Sequence, residues 1–519
     1  MMTFNKLQVF LMGSILIMMD SCTSRPTRTA DEIQVTVDQH TFPVIKGQSN
    51  DVFYIEFTLE EGDVLEELSL AVDGAEVLQS LTIHELENSA GGKGQPIATE
   101  VKVGKKVLID VDRSFPPGSH KLVLDIRPKE SASLKETVQI GLKKITFTNS
   151  KVSISKQRNS MPLRLATSLR TAGDDGIAAY RIPGLATTTE GSLIAVYDVR
   201  HNSSVDLQED IDVGMSRSTD GGENWEPMKI IMDMEEWGGR PQKENGIGDP
   251  AILVDPSDNT IYVVALWLHG KPGKRAWFSS GKGISPDETG QLVMVKSKDD
   301  GKTWSAPINI TAQLKKKEWK LMFNGPGKGI TMRGGTLVFA GQFKDENDMP
   351  HSTVIYSQDK GETWHIGTGA KSNTTEAQVV ELNDGSLMLN MRDNRGGARS
   401  VAVTKDFGKT WQVHPSSRSA LVEPVCMASL ITYPENRQSM DASYLFFSNP
   451  AVTDGRYNMT IKSSQDEGMS WSSGLLMDEG KGWGYSCLTV IDEDYLGILY
   501  ESSQAHMTYQ IIPITDLVP

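Results

Sequence analysis

The sequence predicts an all-β fold: a six-bladed β-propeller with an N-terminal β-sandwich module. Three observations carry this. A short turn motif recurs five times, and six β-type runs interleave with it at a regular interval. The 519 residues also include 47 glycines and ten tryptophans, which suits many turns and recurrent aromatic packing rather than helical bundles. With 38% apolar and 23% charged residues, the chain can bury a sizeable core.

The motif has the form Ser/Thr-x-Asp-x-Gly-x-x-Trp. Its copies run from Ser218 through Asp220 and Gly222 to Trp225, and from Ser297 through Asp299 and Gly301 to Trp304. The next run from Ser357 through Asp359 and Gly361 to Trp364, and from Thr404 through Asp406 and Gly408 to Trp411. The fifth joins Ser464, Asp466, Gly468 and Trp471. Asp and Ser/Thr side chains satisfy turn amides locally, Gly takes the positive φ, and Trp staples the turn to a neighbouring strand. The motif is therefore structural, and none of these aspartates is assigned to catalysis.

The interleaved β runs are Leu193–Tyr197, Ile261–Trp267, Thr336–Gln342, Ser386–Met391, Tyr444–Ser448 and Tyr495–Tyr500. Each of the first five precedes one aspartate turn. The sixth is followed only by a terminal strand near Thr508–Ile512. Six repeats over residues 165–519 average about 59 residues, enough for a four-stranded sheet and one long loop each. In such a ring the long loops converge on one face, where separate blades can build a site.

Residues 31–150 read as the sandwich. Val52–Phe57, Leu68–Val72, Lys106–Val111 and Lys121–Ile126 have strand character, with turns at Gly91-Gly92 and Pro116-Pro117-Gly118. Nothing in this module looks catalytic; it either binds glycan or spaces the body from a membrane. The polar stretch 151–164 reads as a linker.

Residues 1–22 read as a targeting segment. Lys6 precedes an apolar run from Leu7 to Met19, too short to span a bilayer. Cys22 follows, and the pattern resembles a bacterial lipoprotein signal in which that cysteine becomes the lipidated N-terminus. Ordinary secretion is the alternative. Either way the chain is exported, to the periplasm or cell surface, and membrane contact is expected only through this anchor.

Charge excludes one class of partner. With 52 basic against 67 acidic residues, the formal charge is −15, leaving no basic excess to neutralise nucleic-acid phosphates. Three cysteines (Cys22, Cys426 and Cys487) rule out a disulfide scaffold, and no CxxC pair suggests zinc. Cys426 and Cys487 read as small buried hydrophobes.

Arginines outside the turns supply the chemistry. Arg181 lies in Tyr180-Arg181-Ile182-Pro183, Arg392 ends a strand begun at Leu387, and Arg456 follows Asn449-Pro450 in a turn-rich loop. At corresponding blade positions, three guanidiniums could converge on one planar anion with paired charge-assisted hydrogen bonds. That would give an acidic protein a local carboxylate pocket.

Taken together, the five aspartate turns, the Arg-Ile-Pro opening and the Tyr-Ser and Leu-Tyr-Glu segments near the end resemble bacterial exo-α-sialidases (neuraminidases) of glycoside hydrolase family 33. The resemblance covers roughly residues 165–515. It implies that Arg181, Arg392 and Arg456 clamp the sialic-acid carboxylate, with Arg200 an accessory arginine near the same end of the sugar. It further implies Asp206 as acid/base, Glu376 as the glutamate beside the nucleophile, Tyr485 as the nucleophile, and Glu501 as the residue holding Arg181. The implied substrates are sialylated glycoconjugates, and no metal or cofactor enters the scheme.

These residue types suit the chemistry. The reacting carbon of a sialoside bears a carboxylate, so a carboxylate nucleophile would approach an anionic centre; a tyrosine is neutral until a base draws off its proton. A free phenol has a pKa near 10, so Tyr485 would need Glu376 as base plus the field of the arginines. Asp206 stands near Asp210 and Asp212, either of which could be the donor instead, although the spacing after Arg181 and Arg200 favours Asp206. Transfer to another sugar, or formation of an anhydro product, would use the same residues. A propeller lectin would need only the arginines. The segments Met234–Gly246 and His269–Ser285, with Trp237, Trp267 and Trp277, could line the leaving-group side or pack in blades. Linkage preference and oligomeric state are not legible.

Overall fold

The computed structural model describes residues 32–87, 92–100, 102–157, 161–207, 209–269, 275–433 and 444–518. The targeting segment with Cys22, and Gly91 of the expected Gly91-Gly92 turn, lie outside them. Among the described residues no helix is long and apolar enough to cross a membrane.

The chain is almost entirely β, and burial separates two kinds of sheet. In the front module the strands alternate, as in Glu32–Gln39, where every second side chain is buried, and in Lys106–Phe115, where Val107, Ile109, Val111 and Phe115 are. That is the pattern of sheets with one face on a core and one on solvent. One sheet runs from Lys151–Gln157 through Glu32–Gln39, Asn50–Leu59, Gly118–Pro128 and Leu78–Leu86 to Lys93–Glu100; Thr137–Phe147, Asp63–Asp73 and Lys106–Phe115 form the facing layer. Pro116-Pro117 joins two of these strands, as expected.

The expected linker is not a loop over its first half. Lys151–Gln157 pairs in parallel with Glu32–Gln39 and closes the edge of the first sheet. Its polar composition, read from sequence as a linker, is what an edge strand exposes. Leu163–Arg170 is a strand as well. It pairs with both Met507–Pro513 of the body and Thr137–Phe147 of the front module, so the sheets of the two modules are continuous. Glu223, inside the first aspartate turn, adds a polar clasp: its carboxylate accepts from Ser133 Oγ at 2.6 Å and Leu134 N at 3.0 Å.

In the body, strands such as Ala179–Thr187, Leu193–Arg200 and Thr260–His269 are buried almost throughout, because both faces of each sheet meet a neighbouring sheet. The pairings group these strands into four-stranded antiparallel meanders. The first is Ala179–Thr187, Leu193–Arg200, Ile211–Ser218 and Lys229–Met232. The last is Ser486–Val490, Tyr495–Tyr500 and Met507–Pro513, completed by Leu163–Arg170 from the start of the body. The ring is thus closed by a strand from its other end. All six sequence-predicted runs fall on the second strand of a meander.

The five aspartate turns follow third strands and share one geometry. Ser218 Oγ donates to Asp220 Oδ1 at 2.8 Å and accepts from Gly222 N at 2.9 Å, while the Asp220 carboxylate accepts from Asn224 N at 2.9 Å. Asp299, Asp359, Asp406 and Asp466 repeat this pattern. Side-chain and backbone donors of the turn hold Asp299 and Asp359 down at about 2. The tryptophans reach across meanders: Trp225 meets Tyr509 edge-on at 5.1 Å, and Trp364 meets Tyr262 at 6.4 Å. Cys426 and Cys487 are buried and unpaired.

Candidate active site

Three innermost strands carry a register shift at the same end of the ring. The breaks fall between Arg181 and Gly184, between Gly248 and Ala251, and between Thr374 and Ala377. A bulge inserts extra residues and re-aims side chains out of the ladder. Here the bulges present Arg181 and Ile182, Asp249, and Thr375 and Glu376 to one cavity of about 700 Å³. Ile182 (φ 63°) and Asp249 (φ 55°) occupy the left-handed region. For β-branched Ile182 this is a strained conformation, held by its surroundings.

Glu501, buried at 2% exposure, is the fastening point for that strain. Oε1 accepts from Arg181 Nε at 2.6 Å and from Ile182 N at 3.0 Å, and Oε2 accepts from Tyr485 N at 3.0 Å. One carboxylate therefore ties the first inner strand to the last. The Arg181 guanidinium also lies 4.2 Å from the centre of the Trp483 ring.

Tyr485 Oη donates to Glu376 Oε1 at 2.5 Å and accepts from Arg392 Nη1 at 3.0 Å, and the same Nη1 donates to Glu376 Oε2 at 2.6 Å. Burial and then the Glu376 charge push the phenol well above its ordinary value, outweighing Arg392 and Arg456. A carboxylate that accepts the phenolic proton favours the neutral phenol, so the shift opposes the arginine field. Arg392 Nε is buried with no hydrogen-bond partner. Arg456 donates Nη1 to the Trp483 carbonyl at 2.7 Å and also lines the cavity. An idle buried donor and two more guanidiniums on one cavity wall form a receptor for a small anion.

Asp206 lines the same cavity on the loop after Leu193–Arg200, and its side chain is 73% exposed. Desolvation pushes its carboxyl up, but the Arg200 and Arg181 charges outweigh that and hold it below its usual range. Asp210 and Asp212, the other candidates from sequence, are not among the cavity-lining residues.

Arg200, expected as an accessory arginine near one end of the sugar, is set one layer back from the cavity. Its side chain is completely buried: Nη2 donates to Asp198 at 2.7 Å, and Nη1 donates to the Ser204 carbonyl at 2.7 Å and pairs with Asp206 at 2.6 Å. With those donors engaged it sits behind Asp206 rather than in the cavity wall.

Sequence reasoning missed Asp249 and left Asp198 unassigned. Asp198 Oδ1 accepts from Asp249 N at 2.8 Å, and desolvation raises Asp198 to about 6 despite Arg200. Burial, with Asp198, Asp206 and Glu376 nearby, raises the Asp249 carboxyl well above its ordinary value. The signal available was Asp249 in Gly248-Asp249-Pro250 at a strand interruption. Of the two long segments, Arg275, Trp277 and Phe278 line the cavity, whereas no residue of Met234–Gly246 does. Trp267 is fully buried, edge-on to Trp237 at 4.5 Å.

A BNR repeat-like domain matches residues 191–498. A sialidase of Bacteroides fragilis is 51% identical over 418 residues, which span 80% of this chain and 77% of that protein. The chain belongs to the sialidase family. A Hadza microbial sialidase of known structure is 43% identical, with a TM-score of 0.88, covering 93% of this chain and 100% of that one. A Trypanosoma rangeli sialidase, 19% identical with a TM-score of 0.55, shares the fold over 66% of this chain and 57% of its own. The family's β-propeller is thus the frame on which the arginines, Glu376 and Tyr485 of this chain converge.

Proposed function

We propose that this chain is an exo-α-sialidase that removes terminal sialic acids from glycoproteins, glycolipids and oligosaccharides, with retention, through a tyrosine-linked sialyl intermediate. The observation that carries the reading is the contact of Tyr485 Oη with Glu376 at 2.5 Å and Arg392 at 3.0 Å, in a cavity also lined by Arg181, Arg456 and Asp206.

In this reading Arg181, Arg392 and Arg456 hold the substrate carboxylate. Tyr485 Oη attacks the anomeric carbon as Glu376 takes the phenolic proton, and Asp206 gives its proton to the departing sugar oxygen. In the second half, Asp206 takes a proton from water, which attacks the same carbon from the vacated side. The Tyr485 oxygen then leaves and recovers its proton from Glu376. Two inversions give retention. Burial and the Glu376 charge disfavour a free phenolate, so attack and proton transfer to Glu376 are coupled. Arg200 positions Asp206, and Asp249, on the cavity wall, offers a hydrogen bond to a sugar hydroxyl. We also propose export with lipidation at Cys22, to be tested by a fatty-acid label that Cys22→Ala abolishes.

The deciding experiment follows an aryl α-sialoside with the wild-type protein, Tyr485→Phe and Asp206→Ala, and identifies the product. An activated leaving group needs little acid help, so Asp206→Ala should keep much of its activity while Tyr485→Phe loses most. Free sialic acid of retained configuration supports the reading. Binding without release of the aryl group would instead indicate a lectin, and an anhydro or transferred product a transfer enzyme.

A further inference from the structure

We propose that His201, Asp210 and Asp212 form a binding site for one divalent transition-metal cation, of the zinc type, at the neck of the loop that carries Asp206. The strand Leu193–Arg200 ends where this loop begins, and Ile211–Ser218 starts where it ends; Arg200 pairs with Ile211 at the neck. His201 N donates to the Asp210 carbonyl at 3.2 Å just beyond that pair. The two chain ends are therefore already in register, and they place three potential ligand atoms within 4.8 Å of one another.

Two idle oxygens point to a ligand. Asp212 is 3% exposed; Oδ2 accepts from His201 Nε2 at 2.8 Å, but Oδ1 is buried with no hydrogen-bond partner. Asp210 Oδ1 is likewise buried without a partner. A buried oxygen left unsatisfied costs about 1–3 kcal/mol, and an unpaired buried charge costs more. The His201–Asp212 ion pair engages Asp212 Oδ2 and leaves both idle oxygens unsatisfied. A cation between the three side chains satisfies the set and offsets two carboxylate charges.

The donor set selects the metal class. One imidazole nitrogen with two carboxylate oxygens suits zinc or its neighbours at bond lengths of about 2.0–2.2 Å, whereas calcium prefers six to eight oxygens, roughly. The His201 side chain is 32% exposed, which leaves a path from solvent and room for water to complete the shell. A bound cation would pin both ends of the loop and so steady Asp206.

The test uses untagged, chelator-treated protein titrated with zinc chloride and, separately, calcium chloride, with binding followed by calorimetry and thermal unfolding. One equivalent of zinc should bind and raise Tm, and calcium should not. Loss of a residue that merely orients a ligand costs about 10–100-fold in metal affinity, so His201→Ala and Asp210→Asn, each removing a ligand, should weaken zinc at least tenfold, roughly. His201→Ala leaves buried Asp212 without its partner and should lower the metal-free Tm, whereas Asp210→Asn keeps the side chain's size and should fold with a metal-free Tm near that of the parent. No zinc binding by the parent, undiminished binding by both variants, or calcium binding as tight as zinc would each overturn the proposal.

Discussion

The Tyr485 hydroxyl donates to Glu376 at 2.5 Å across 109 residues of sequence. These two side chains share a single proton-transfer task, so their loss should not be additive. General-base assistance contributes about 10²–10⁴-fold, and we expect Glu376→Gln to lower kcat/KM on an aryl sialoside within that range. Tyr485→Phe should cost at least as much. The double variant should be no slower than the worse single one; a multiplicative loss would separate the two residues into independent roles.

Among the described residues Arg392 makes an ion pair with Glu376 alone, and its Nε is idle. Arg392→Ala should cost about 3 kcal/mol of transition-state stabilisation, or roughly 150-fold in kcat/KM, from charge-assisted bonds worth about 1.5–3 kcal/mol each. Among the described residues no hydrogen bond or ion pair joins Arg456 to Glu376, and Arg456 donates instead to the Trp483 carbonyl, so Arg456→Ala should raise KM more than it lowers kcat. Near-normal kcat/KM in Arg392→Ala would remove the clamp assignment.

Asp206 must be protonated to act as an acid, so the rate on an unactivated sialoside should fall as pH rises through its pKa. In the free protein the Arg200 and Arg181 charges hold that pKa low against desolvation. A bound substrate carboxylate neutralises part of the arginine field and raises it. The alkaline limb of kcat should therefore lie at higher pH than that of kcat/KM, since the first reports the complex and the second the free enzyme. Coincident limbs would assign the acid elsewhere.

Trp364 is 1% exposed and ties the third aspartate turn to Tyr262 of the preceding meander. Trp364→Ala should destabilise by about 3–5 kcal/mol in denaturant unfolding while kcat/KM of the folded fraction stays within a factor of two, roughly. A selective loss of activity without loss of stability would contradict the structural reading of the turns.

The front module shows how composition can mislead. Lys151–Gln157 reads as a polar linker, yet it completes a sheet edge, because edge pairing is decided by which backbone lies alongside and not by side chains. The same holds for Leu163–Arg170: no local feature says that it closes the ring against Met507–Pro513.

By itself the sequence determined what short-range forces determine. The aspartate turns are hydrogen-bonded within five residues, and the second strands are continuous apolar runs, so both are written locally. Family resemblance then supplied Arg181, Arg392, Arg456, Glu376 and Tyr485, and the fold does bring these to one cavity. Only the tertiary structure decided how they are held. Bulges in three inner strands aim Arg181, Asp249 and Glu376, Glu501 locks the first inner strand to the last, Arg200 is drawn behind Asp206, and burial raises the Asp249 carboxyl. Each of these depends on burial and on partners far away in sequence, and a charge's surroundings exist only once the ring has closed.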